Sequence, residues 1–171
     1  MSVRLGPMSA TATAAVGGAG PIVVGIGEAA AGDDAIGLLV AQALAARGLD
    51  ARTSADASIV LPLLEAGHRV VIVDAIVGAG APGTVRRLDP AALATGPAPL
   101  SSHGLGVAQV LELATILGVP VDALAIVGVA IDPPPRGPSP MSAAVAAALE
   151  PAADLAAALA LTATDRPSRT S

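Results

Sequence analysis

Three acidic residues crowd one glycine-rich turn near the start of this chain, and two further groups able to bind or transfer protons follow later, each beside an apolar run. The turn is Gly25-Ile-Gly27-Glu28-Ala-Ala-Ala-Gly32-Asp33-Asp34-Ala-Ile-Gly37; it follows Pro21-Ile22-Val23-Val24 and opens an apolar-periodic segment. Glycines at a strand-to-helix turn ordinarily invite a phosphate, because backbone N–H groups at a helix start point at an anion. Here Glu28, Asp33 and Asp34 put carboxylates where that phosphate would sit, and like charges repel. The loop therefore favours a cation, or a partner that carries one.

Asp74 closes the run Arg69-Val-Val-Ile-Val73. An ionised carboxylate beside such a strand is costly unless it is paired, solvated or bound to metal. His103 follows Ser101-Ser102 at an expected helix start, and imidazole is a common ligand for nickel- and zinc-like ions. Each residue also has a plainer reading: Asp33 as a helix N-cap, Asp34 as a complement to the helix dipole, Asp74 as a turn former and His103 as a loop cap. His68, between Gly67 and Arg69, reads as a solvated surface residue. Serine catalysis by a nucleophile elbow and zinc catalysis by His-Glu-x-x-His both lack their motifs.

The elements that must position these groups follow from the apolar pattern. Strands are expected at 22–25, 50–55, 69–73, 84–88 (an edge) and 123–129, and helices at 34–47, 59–66 and 105–117. A last helix starts at Met141 and is broken or kinked by Pro151. Residues 90–102 and 133–140, rich in proline, read as loops. Strands alternating with helices predict an α/β fold, a three-layer α/β/α sandwich on a mostly parallel, about five-stranded sheet with one antiparallel edge strand. Ligands in such folds bind outside the carboxyl ends of the strands. The acidic loop, Asp74 and the approach to His103 all fall at such ends.

The composition narrows the function classes. The 171 residues suit one domain, expected over 21–163 between flexible tails at 1–20 and 164–171. There is no Phe, Tyr or Trp, so the core must be aliphatic, and the formal net charge is −5 with no basic run, which argues against nucleic acid. No cysteine is present, which removes disulfides, thiolate metal sites and a cysteine nucleophile, and fits a cytoplasmic setting. No signal-type apolar region opens the chain, and Met141–Ala163 carries Glu150, Pro151 and Asp154, so it reads as a soluble helix and not a membrane span.

Ile22-Val-Val-Gly-Ile-Gly27, Gly32-Asp-Asp-Ala-Ile-Gly37, Val73-Asp-Ala75 with Pro82-Gly-Thr84, and Ser102-His-Gly-Leu105 occur in an order and spacing that resembles the nickel–iron hydrogenase maturation endopeptidases. Those enzymes remove a C-terminal extension from the hydrogenase large-subunit precursor. The resemblance covers roughly residues 21–160 and implies that Asp34, Asp74 and His103 are the metal-contacting and catalytic residues. It also implies that the metal is nickel carried in by the precursor and not permanently bound. Two carboxylates and one imidazole suit a borderline divalent ion and leave coordination positions open for substrate groups. This chain departs from the family pattern at Glu28, where Asn is common, and at Ala55-Asp-Ala-Ser58, where glycines are expected. A non-catalytic precursor-binding chaperone and, last, a nucleotide-binding module are the alternatives.

Overall fold

Runs of Val and Ile that lack aromatic partners fold best where both faces are covered, because a strand buried on two sides needs apolar side chains at nearly every position. The computed structural model describes residues 20–95, 106–135 and 137–162. Its strands are β1 (Ile22–Ile26), β2 (Ala51–Ser54), β3 (Val70–Val77), β4 (Val85–Leu88) and β5 (Leu124–Ile131). They form one sheet in the order β2-β1-β3-β5-β4, parallel throughout except for β4, which pairs antiparallel with β5 at the edge.

The helices are α1 (Ile36–Ala46), α2 (Val60–Glu65), α3 (Pro90–Thr95), α4 (Val107–Leu117), α5 (Ala143–Ala147) and α6 (Leu149–Thr162). Strand alternation divides the core between two helical layers. Val23, Val71, Val73, Val127 and Val129 pack with Ile36, Val40 and Leu44 of α1 and the alanine face of α6. Ile22, Val24, Ile72 and Ile126 pack with Val60 and Leu64 of α2 and Val110 and Leu111 of α4. Each such aliphatic side chain contributes about 1.5–3 kcal/mol when buried, so an aromatic-free core is sufficient here. Among the described residues no helix is long and apolar enough to cross a membrane.

Four local expectations are corrected. β3 does not stop at Val73 but runs on through Asp74 to Val77, because β5 pairs with it over all eight residues. Residues 90–95 form α3 and not a loop. Pro90 takes the first helical position, where its missing N–H costs nothing, and Asp89 Oδ1 accepts from Ala91 N at 3.0 Å. The last helical region breaks at Ala148, three residues before Pro151, which itself sits in the first turn of α6. His68 is half-buried, with its Nδ1 enclosed. Of the expected tails, residues 1–19 and 164–171 lie outside the described residues, and so does residue 163, the expected last position of the domain.

Candidate active site at the switch point of the sheet

The chain leaves β1 toward β2 on one side and reaches β3 on the other, so the sheet's switch point lies between β1 and β3. Pairing of β1 with β3 ends at Gly25 and Val73, whereas β3 continues beside β5. That point, at the carboxyl ends of the strands, is where α/β folds bind ligands. Asp74 is the first β3 residue past the last β1 partner, and it is also where β3 passes from buried to half-buried residues.

Asp34 reaches the same end of the sheet from the β1 side, and glycines bring it there. Gly25 and Gly37 face each other so closely that a Cβ on Gly25 would strike the Gly37 carbonyl, and one on Gly37 would strike the carbonyls of Ile26 and Val73. The start of α1 thus rests directly on the ends of β1 and β3. Gly27 lies against the Asp34 main chain with no room for a side chain. The glycines of this loop serve backbone contact, not phosphate. Its donors are also turned inward: Glu28 N donates to Asp34 Oδ2 at 2.8 Å, holding the carboxylate in a defined orientation.

Asp33 does not cap a helix. Residues Gly32–Ala35 form a single 3-10 turn without a side-chain cap, and Asp33 Oδ1 instead accepts from Ser142 N at 2.6 Å. Ser142 in turn caps α5 by accepting from Val145 N at 3.3 Å. Gly32, at φ +57°, lies against Ser139 and Pro140, so the acidic loop is fastened to the entry of the last helical layer. The Ala55–Ser58 departure is an ordinary capped turn in which Asp56 Oδ1 accepts from Ser58 N at 2.7 Å.

The two acids share an electrostatic environment. Loss of water around Asp74 raises its pKa from the usual carboxylate range to about 7; the negative charge of Asp34 adds to the rise, and a hydrogen bond from the Ala75 backbone opposes it. Such a carboxyl changes charge near neutral pH, as expected of a group that exchanges a proton for a cation or acts in proton transfer. Asp74 also lines a small cavity of about 40 Å³ with Leu93, Ile126 and the first turn of α4, Gly106 to Gln109. A larger cavity, about 500 Å³, lies at the opposite, amino-terminal ends of β3 and β5 beside Arg69, Arg87 and Asp122, away from both acids.

His103 lies outside the described residues, as do Ser101 and Ser102. The chain that carries it enters α4 three residues later at Gly106, which shares the Asp74 cavity. Among the described residues no three His, Cys, Asp or Glu side chains gather as a metal site. Glu28, counted above among three carboxylates, contributes its main-chain N–H to Asp34. Gln109, which motif reading passed over, belongs to the cavity; its only signal in sequence is a polar residue two positions into an otherwise apolar helix start.

The hydrogenase maturation protease family model (HycI) matches residues 49–159, a span that includes Asp74 and His103 and begins after Asp34. The hydrogenase maturating endopeptidase HybD from E. coli is similar at 30% identity and a TM-score of 0.58, with 84% of this chain and 93% of that chain covered. The [NiFe] hydrogenase maturation protease HycI from Thermococcus kodakarensis KOD1 is similar at 26% identity and a TM-score of 0.59, covering 85% and 93%. HybD from Thermococcus kodakarensis shares the fold at 21% identity and a TM-score of 0.60, covering 82% and 99%. No curated protein matches the chain in sequence.

Proposed function

The chain belongs to the hydrogenase maturation protease family, and from that premise we propose that it removes the C-terminal extension of a nickel-loaded hydrogenase large-subunit precursor, with Asp34, Asp74 and His103 holding the precursor's nickel. What supports this reading is that Asp34 and Asp74 stand at the same carboxyl end of the sheet, where burial of Asp74 and, after it, the charge of Asp34 raise the Asp74 pKa to about 7. Two interacting carboxylates, one of them with its pKa pushed up to about 7, gain from a divalent cation. The donor set fits the ion. Asp34 Oδ2 is engaged by Glu28 N, so Asp34 offers its other oxygen; Asp74 offers a carboxylate and His103 an imidazole nitrogen. Three ligands leave positions for groups of the precursor itself.

In hydrolysis, water adds to the scissile carbonyl carbon, the C–N bond breaks and the departing amine takes up a proton. Nickel carried by the precursor supplies polarisation of that carbonyl or of the attacking water. This chain's own residues orient the peptide at this end of the sheet, and Asp74 gives up its proton as the cation arrives. A precursor in the cytoplasm is the expected partner. The test is to mix the purified protein with nickel-loaded precursor and follow the mass of the large subunit. Asp34→Asn, Asp74→Asn and His103→Gln should each slow shortening by at least about 100-fold while leaving a folded protein by circular dichroism. Full cleavage by any of the three would remove that residue from the site.

A further inference from the structure

Asp34 belongs to a small ring of hydrogen bonds. Glu28 N donates to Asp34 Oδ2 at 2.8 Å, Asp34 N donates to the Ala31 carbonyl at 3.2 Å, and Ala31 N donates to the Glu28 carbonyl at 3.1 Å. The direction of the Asp34 carboxylate is thus tied to the main chain of Ala31. Such a ring fixes its own geometry but not its tilt on the sheet, and Ala29 and Ala30 within it are exposed. One seat is Gly27, which lies against the Asp34 main chain. The second comes from the segment that leads into α5. Ala31 and Ser139 pair as an isolated parallel β-bridge. Gly32, left-handed at φ +57°, rests on the same segment: a Cβ there would come within 2.5 Å of Ser139 Oγ, 2.8 Å of the Pro140 carbonyl oxygen and 2.9 Å of the Ser139 carbonyl oxygen. Two of those three atoms are backbone and cannot rotate away.

We propose that Ser139 and Pro140 are positioning residues for Asp34: by seating Ala31 and Gly32 they set the tilt of the ring, and with it the direction in which the carboxylate meets the precursor's nickel. This rests on the endopeptidase reading above and adds to it a segment that supplies none of the three ligands. The Asp33 bond to Ser142 fastens the next turn, but Asp33 is no member of the ring, so the bridge at Ala31 sets the tilt. Precision of this kind matters, because a displacement of about 1 Å at a reacting group can cost about 100-fold in rate.

The experiment separates nickel-dependent action from docking of the precursor's body. Two quantities are measured where every protein is fully folded: kcat/KM for nickel-loaded precursor, and the inhibition constant of nickel-free precursor added as competitor. Gly32→Ala, which drives the ring off Ser139 and Pro140, should lower kcat/KM at least about tenfold and leave the inhibition constant within about twofold. Gly48→Ala is the control. It places a Cβ at φ +89° in open space at the other end of α1, so it carries backbone strain without the contact, and it should change neither quantity. Ser139→Val presses on Gly32 from the opposite side and adds no left-handed strain at Gly32. It should reproduce the selective loss of kcat/KM, and it stands as the test if Gly32→Ala does not fold. An unchanged kcat/KM overturns the proposal. So does an equal fall in kcat/KM and in competitor affinity, since that marks a general structural role. If the unaltered protein cleaves no precursor at all, the endopeptidase reading fails instead.

Discussion

The Glu28 backbone N–H donates to Asp34 Oδ2 across 2.8 Å, so the residue that departs most plainly from the family pattern contributes to the site through its main chain. Side-chain identity at position 28 is then of little consequence for Asp34. Glu28→Asn and Glu28→Ala should cleave precursor within about twofold of the unaltered protein, in keeping with substitutions that disturb no contact. Glu28→Pro lacks the donor and should lose activity sharply, because a hydrogen bond to a charged group contributes about 1.5–3 kcal/mol. Parallel cleavage assays on the three variants check this.

The Gly25–Gly37 contact makes a second prediction. An alanine at Gly37 would press on the Ile26 and Val73 carbonyls, which are backbone and cannot swing aside. Gly37→Ala should cost about 1–3 kcal/mol of stability and displace Asp34 from Asp74. Urea unfolding reads the first effect. Cleavage measured far below the melting temperature reads the second, and the loss should exceed what the unfolded fraction explains.

Asp74 sets a pH dependence whose sign follows from its raised pKa. Between the ordinary carboxylate range and about 7 the folded protein binds a proton that the unfolded chain has released. Stability therefore falls as pH rises from about 4 to about 7 and levels off above that, a change on the order of 4 kcal/mol from this group. Asp74→Asn, neutral at every pH, should lose this slope and be more stable than the unaltered protein at pH 8. Urea unfolding at pH 5 and pH 8 measures the difference. Cleavage should run the other way, rising through neutral pH as Asp74 becomes free to bind the cation.

Asp33 yields a contrast within one dipeptide. Its 2.6 Å bond from Ser142 N ties the acidic loop to the start of α5. Asp33→Ala should cost about 1–3 kcal/mol and expose the Ser142 amide to hydrogen exchange, while the residual folded protein still cleaves. Asp34→Ala should do the reverse, leaving that amide protected and cleavage abolished.

Much of this architecture is readable from residues alone. Apolar runs mark β1, β3 and β5, and the helical spacing of Ile36, Val40 and Leu44 marks α1. What periodicity does not carry is long-range. That β3 continues past Asp74 depends on an eight-residue partner some fifty positions later in the chain, and that Asp33 serves α5 depends on Ser142. Pro90 reads as a breaker until Asp89 is seen capping the turn it starts. The glycines around Asp34 are easily taken for a phosphate loop because close backbone contact and phosphate binding ask for the same residue. That Asp34 and Asp74 stand at neighbouring strand ends follows from β1 lying beside β3, an order that no local pattern encodes.

The central claim is that Asp34, Asp74 and His103 act on a precursor through its nickel. The most direct measurement is time-resolved mass spectrometry of one large-subunit precursor, prepared with and without nickel, incubated with the unaltered protein and with Asp34→Asn. The expected result is loss of the C-terminal extension only from the nickel-loaded precursor and only with the unaltered protein. Equal shortening of both precursors, or undiminished shortening by Asp34→Asn, would contradict it.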